Sequence, residues 1–242
     1  MSTQLKPTIA GQLSLASLAI NNTLGDAHVQ SLVAAYGYTA EKVQQGQALY
    51  RAATDAVQQQ NIAAGAQRQA TLYAYAAERR ARANYQALAQ VARAVFVRDP
   101  AMREILGLKG ATPTSIAEFK AAADQLFEAA NSIPKLSTTL ASYGYDAARL
   151  TRDRSAIVDL GQAHQAQVAA IAQAKQTTRE QKVALAALND WLAQYLKIAK
   201  VALRDTPELY IKLGGVARST RTAAQRQAPK KAAATRAARK AA

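Results

Sequence analysis

The chain has 242 residues and carries 31 Lys and Arg against 16 Asp and Glu, a net charge of +15, with no cysteine. The missing cysteine excludes a disulfide scaffold and thiolate metal sites, and no run of about 18 strongly apolar residues is present to form a membrane span. Half of the residues are hydrophobic, many of them Ala, so propensity favours helix nearly throughout, around a thin core.

In chain order, residues 9–20 form a mildly apolar stretch interrupted by Gln12, Ser14 and Ser17. It reads as the first helix of the fold rather than a signal peptide. The next signal is a repeat. Ala34-Ala35-Tyr36-Gly37-Tyr38-Thr39-Ala40 returns as Ala141-Ser142-Tyr143-Gly144-Tyr145-Asp146-Ala147, so that Gly37 and Gly144 stand 107 residues apart. The same offset relates Pro100 to Pro207 and Gly107 to Gly214. Duplication accounts for this register.

Each matched residue has a mechanical role. Gly37 and Gly144 end short helices in a left-handed turn. Thr39 and Asp146 are N-caps for the helices that follow. Tyr38 with Val43, and Tyr145 with Leu150, have the spacing of a hydrophobic staple. Asp99-Pro100 and Thr206-Pro207 place a capping residue before Pro at the first helical position.

The segments 39–99 and 146–206 contain no proline before their terminal turns. Spacings of three and four in the second copy fall on Leu150, Asp153, Ile157, Leu160, His164, Gln167, Ile171, Ala174, Thr178, Gln181, Leu185, Leu188, Leu192, Tyr195, Ala199 and Ala202. The first copy gives Val43, Gly46, Tyr50, Ala53, Val57, Gln60, Ala64, Gln67, Thr71, Ala74, Glu78, Ala81, Tyr85, Leu88, Ala92 and Val95 by the same rule. Both patterns are apolar at the ends and weak in the middle, as a coiled-coil-like seam would be. Gly65 could turn the first copy into a hairpin, but residues 167–176 of the second hold no turn residue. The expectation is therefore two continuous helices of about 55 residues, each about 80 Å long. They pair antiparallel about a pseudo-twofold axis, with short helices capping a rod. Between the copies, Ser115 and Glu118 fit a capping box, and Ile116, Phe119, Ala123, Leu126 and Phe127 form one apolar helix face.

The reading is thus an all-α, internally duplicated protein. Its first repeat unit covers 1–110, its second covers 111–217 and packs with the first as one domain, and 218–242 is a disordered basic tail. That tail holds Arg218, Arg221, Arg226, Lys230, Lys231, Arg236, Arg239 and Lys240 and no acid, leaving 23 cations and 16 acids for the rest. Its apolar residues are Ala, which cannot bury enough surface to fold alone. Spaced cations on such a chain suit polyanions and release counterions on binding. In composition, Ala228-Pro229-Lys230-Lys231-Ala232-Ala233 resembles the tails of linker histones and basic bacterial nucleoid proteins, which implies nucleic acid as the partner.

No acid/base pair, nucleophile, metal set or phosphate loop can be assembled, so neither catalysis nor a cofactor nor a small-molecule substrate is expected. His164 reads as a partly buried helix histidine. Tyr36, Tyr38, Tyr143 and Tyr145 read as packing residues rather than a base-stacking platform. Arg68, Arg79, Arg80 and Arg82 form the densest basic patch of the body, read as a solvated helix face. The expectation is a cytoplasmic, non-enzymatic structural or interaction protein that binds nucleic acid through its tail, without membrane insertion. The alternative is a scaffold or filament subunit, self-associating or binding other proteins through helix faces, with a merely solubilising tail.

Overall fold

The structure is a computed structural model that describes residues 8–215; the basic segment 218–242, expected to be disordered, lies outside the described residues. Eight α-helices follow one another: α1 (Ile9–Leu24), α2 (Ala27–Ala34), α3 (Ala40–Val95), α4 (Pro100–Ile105), α5 (Ile116–Ser132), α6 (Pro134–Ala141), α7 (Ala147–Ala202) and α8 (Pro207–Lys212). The duplication is wider than the sequence suggested. The starts of α1 and α5, α2 and α6, α3 and α7, and α4 and α8 all differ by 107 residues. The amphipathic segment after Ser115 is therefore the counterpart of the first helix, not a connector.

The two 56-residue helices are unbroken. Gly65 lies inside α3, so the hairpin alternative does not occur. Turn chemistry fixes the ends. Gly37 and Gly144 adopt φ of +84° and +81°, and the amides of Tyr38 and Tyr145 reach back to the carbonyls of Val33 and Leu140. This 6→1 closure needs a left-handed residue, which glycine reaches without Cβ strain. The Asp146 carboxylate accepts from the Arg149 amide at 2.7 Å, and that of Asp99 from the Met102 amide at 3.2 Å. Thr206, expected to cap α8, makes no side-chain cap; Pro207 at the first position starts that helix. The box at α5 is also modified, because Glu118 accepts from the Ser115 hydroxyl rather than from its amide.

The chain packs as two compact units, each drawing on both copies. The first contains residues 8–55 and 182–215, hence α1, α2, the start of α3, the end of α7, and α8. The second, Ala56–Gln181, contains the counterparts: the end of α3, α4, α5, α6 and the start of α7. In each, the start of one long helix lies against the end of the other, which makes them antiparallel. Gly46 faces Trp191 in the first unit, and Asn84 bonds the Asp153 carbonyl in the second. These two pairs occupy equivalent positions of the repeat.

The second unit has the heavier core. Phe119, Leu126 and Phe127 from α5 and Leu136 and Leu140 from α6 close on Tyr85, Leu88, Leu150, Ile157 and Leu160. In the first unit the places equivalent to Leu126, Phe127, Leu136 and Leu140 hold the smaller Ala19, Ile20, Val29 and Val33, all buried, as are Leu188, Leu192 and Tyr195 on α7. Leu150, Ile157, Leu160, Leu188, Leu192 and Tyr195, read as seam positions from spacing, are all buried. Toward the middle the seam thins to Ala74, Ala77 and Ala163, and His164 is only half-buried beside it.

Candidate nucleic-acid interface

Arg218, Arg221, Arg226, Lys230, Lys231, Arg236, Arg239 and Lys240, on which the sequence-based interface rests, lie outside the described residues. The body offers the aromatic turns, the basic patch on α3, and two polar clefts.

The paired tyrosines split by role. Tyr38 and Tyr145 are buried, whereas Tyr36 and Tyr143 are about half exposed. Burial raises the phenol pKa of both Tyr38 and Tyr145. Each carries a cation over its ring, Lys42 at 4.5 Å and Arg149 at 3.9 Å. A cation already seated on the face leaves no room there for a base. Tyr38 also joins a cluster that sequence reading missed. It lies edge-on to Trp191, with centroids 6.1 Å apart, and 5.0 Å from Tyr195, while Trp191 stacks on Tyr195 at 5.2 Å and 15°. The Tyr195 hydroxyl bonds Thr23, which itself donates to the Ala19 carbonyl. Burial pushes the Tyr195 phenol up to about 12, against the opposing pull of its Thr23 hydrogen bond. The equivalent pair in the second unit is Leu88 with Ala130. The copies thus differ here, a polar pair in one unit standing where the other has an apolar one; comparison of residues 107 apart shows the differing side chains, and only the packing shows that they pair.

The basic patch also divides. Arg82 is committed: it bonds Glu78 at 2.8 Å and the carbonyls of Pro113 and Thr114 at 2.9 and 2.8 Å, and lies 4.4 Å over the Phe119 ring. This planar fork clamps the segment that joins the two copies. Its counterpart Asn189 does a lighter version of the same task, donating to Gln12, the counterpart of Phe119, at 2.6 Å. Arg80 pairs with Asp159 at 2.6 Å. Arg68 and Arg79 are exposed and have no hydrogen-bond or ion-pair partner among the described residues.

The clefts are lined by groups with structural work. One, of about 240 Å³, lies along Arg80, Asn84, Arg152, Asp153 and Asp159; Asp159 holds Arg80, and Asp153 is shared by Arg149 and Arg152. The other, of about 330 Å³, is bordered by Asn21, Asn22, Asp26 and Lys212. There Asp26 caps α2 through the amides of His28 and Val29, and Asn22 donates to the Lys212 carbonyl. Among the described residues, no group of three or more His, Cys, Asp or Glu is placed to hold a metal ion, and no helix is long and apolar enough to cross a membrane. Comparison with protein families, characterised proteins and solved structures gives no match.

Proposed function

We propose that this protein is a non-enzymatic helical interaction protein that binds nucleic acid without sequence preference through its basic C-terminal segment. The observation that carries the reading is the run of eight cations without an acid after Gly215. Point charges along a polar, Ala-rich chain neutralise phosphates and release condensed counterions, whatever the base sequence. The body adds to this field. On α7, Lys175, Arg179 and Lys182 have no ion-pair partner among the described residues and recur at spacings of four and three, which puts them on one helix face.

A salt titration of DNA and RNA binding, with the full chain and a truncation after Gly215, tests the reading. If all eight cations engage, the tail alone contributes a log–log slope no steeper than about −7. The truncation should lose most of that slope and keep its helicity. Equal binding by both proteins, or no binding at low salt, would remove the tail from the function. The scaffold reading draws on a different observation: Leu72 and Tyr75, neighbours at i, i+3 on α3, are 70 and 64% exposed, and contiguous exposed apolar side chains mark contact surfaces.

A further inference from the structure

The outer face of α3 between residues 68 and 79 departs from an ordinary solvated helix. Arg68, Leu72, Tyr75 and Arg79 recur at spacings of four, three and four, within an arc of about 60° at ~100° per residue. The buried positions Ala63, Ala74, Ala77 and Ala81 lie on the opposite side. Leu72 and Tyr75 are 70 and 64% exposed, whereas Tyr73, 58% exposed, lies about 160° round the helix from Tyr75 and off this face. Glu78 is the one acid between residues 56 and 79, and it faces Arg82, to which it is bonded. The face therefore combines two guanidinium groups unpaired among the described residues, one accessible phenol ring and no carboxylate.

We propose that this face is a stacking platform for single-stranded nucleic acid; the proposal deepens the nucleic-acid reading above and rests on it. Bases of a single strand expose their π-faces and stack on aromatic side chains, while cations on either side take the phosphates. Arg68 and Arg79 stand about 16 Å apart along the helix at 1.5 Å per residue, with Tyr75 between them. That span accommodates a few nucleotides. A duplex presents its bases already stacked on one another and gains only from the charges. A second copy of the chain is a poor occupant, because meeting face to face would oppose Arg68 and Arg79 with their own kind and supply no acid. The counterpart positions on α7 are Lys175, Arg179, Lys182 and Ala186, which keep charge without rings. The platform belongs to one copy only.

The test uses the full chain and three labelled probes of about 15 nucleotides: oligothymidylate, an abasic strand with the same phosphates, and a duplex. Tyr75→Ala should weaken oligothymidylate binding about fivefold or more and leave the abasic strand and duplex within about twofold. Arg68→Gln/Arg79→Gln should weaken all three. These side chains are exposed, so circular dichroism should be unchanged. Equal losses on the thymidine and abasic strands, or no loss on either, would overturn the platform. So would a changed oligomeric state in sedimentation with unchanged oligothymidylate affinity, which would assign the face to a second copy. If truncation after Gly215 leaves the salt slope intact while Tyr75 still discriminates bases, the tail reading fails and the platform stands. If the truncation loses the slope and Tyr75 discriminates nothing, the reverse holds.

Discussion

Replacing Gly46 with Ala should destabilise the protein, whereas the same change at Gly65, on the same helix, should stabilise it. In a helix interior, Ala is favoured over Gly by about 1 kcal/mol. At Gly65 a Cβ would meet nothing within 4 Å, so most of that gain, roughly 0.5–1 kcal/mol, should appear. At Gly46 a Cβ would stand 2.6 Å from Cε2 of Trp191 and closer still to the adjoining ring carbons. The ring has little freedom to yield, because it is stacked on Tyr195, which is fully buried and bonded to Thr23. Overpacking of this kind costs about 1–3 kcal/mol, more than the propensity gain at most of that range. The two variants should therefore separate by about 1–3 kcal/mol, with opposite signs over most of that range. Urea unfolding followed by far-ultraviolet circular dichroism and by the fluorescence of Trp191, the sole tryptophan, measures both. Trp191→Leu in the Gly46→Ala background should recover stability, with a coupling above about 1 kcal/mol. If both glycine variants gained stability equally, the tight contact between Gly46 and Trp191 would be refuted.

Two further outcomes follow from the same side chains. Because the Tyr195 phenol is raised from 10 to about 12 in the fold, its contribution is fully present below pH 10 and is lost as pH climbs from 10 towards 12. Two pH units correspond to about 2–3 kcal/mol, so Tyr195→Phe should flatten the alkaline arm of a stability–pH curve; an unchanged arm would show that Tyr195 is not the titrating group. Arg82→Lys should cost about 1–3 kcal/mol, because an ammonium cannot meet two carbonyls, a carboxylate and the Phe119 face together. Limited proteolysis should then cut first near Pro113 and Thr114, and an unchanged digestion pattern would count against the clamp.

Much of the fold was legible in the sequence because its signals are local. Glycine at a left-handed turn, a carboxylate before a helix and proline at the first helical position act within a few residues, so Gly37, Gly144, Asp99 and Asp146 could be assigned without tertiary knowledge. The long proline-free segments and the offset of 107 residues were equally open to reading. Thr206 shows the limit: its residue type suits a cap, but Pro207 starts α8 without it. The candidate interface was legible only as composition and charge. Arg79, Arg80 and Arg82 are indistinguishable in sequence, yet one is free, one is paired and one is a clamp.

The sequence alone determined that two similar helical units exist and where their long helices begin and end. It did not determine how those helices group, since each repeat specifies the same elements and an apolar face can be covered by either copy. Tertiary structure decided that. The antiparallel pairing of α3 and α7 sets the start of each long helix beside the end of the other, so each compact unit takes helices from both copies. Equivalent positions then met different neighbours and diverged: Tyr195 with Thr23 against Leu88 with Ala130, and Arg82 on Phe119 against Asn189 on Gln12. Each exchange keeps a contact filled and satisfied with a different pair of side chains, and only the packed partner shows which pairs had to change together.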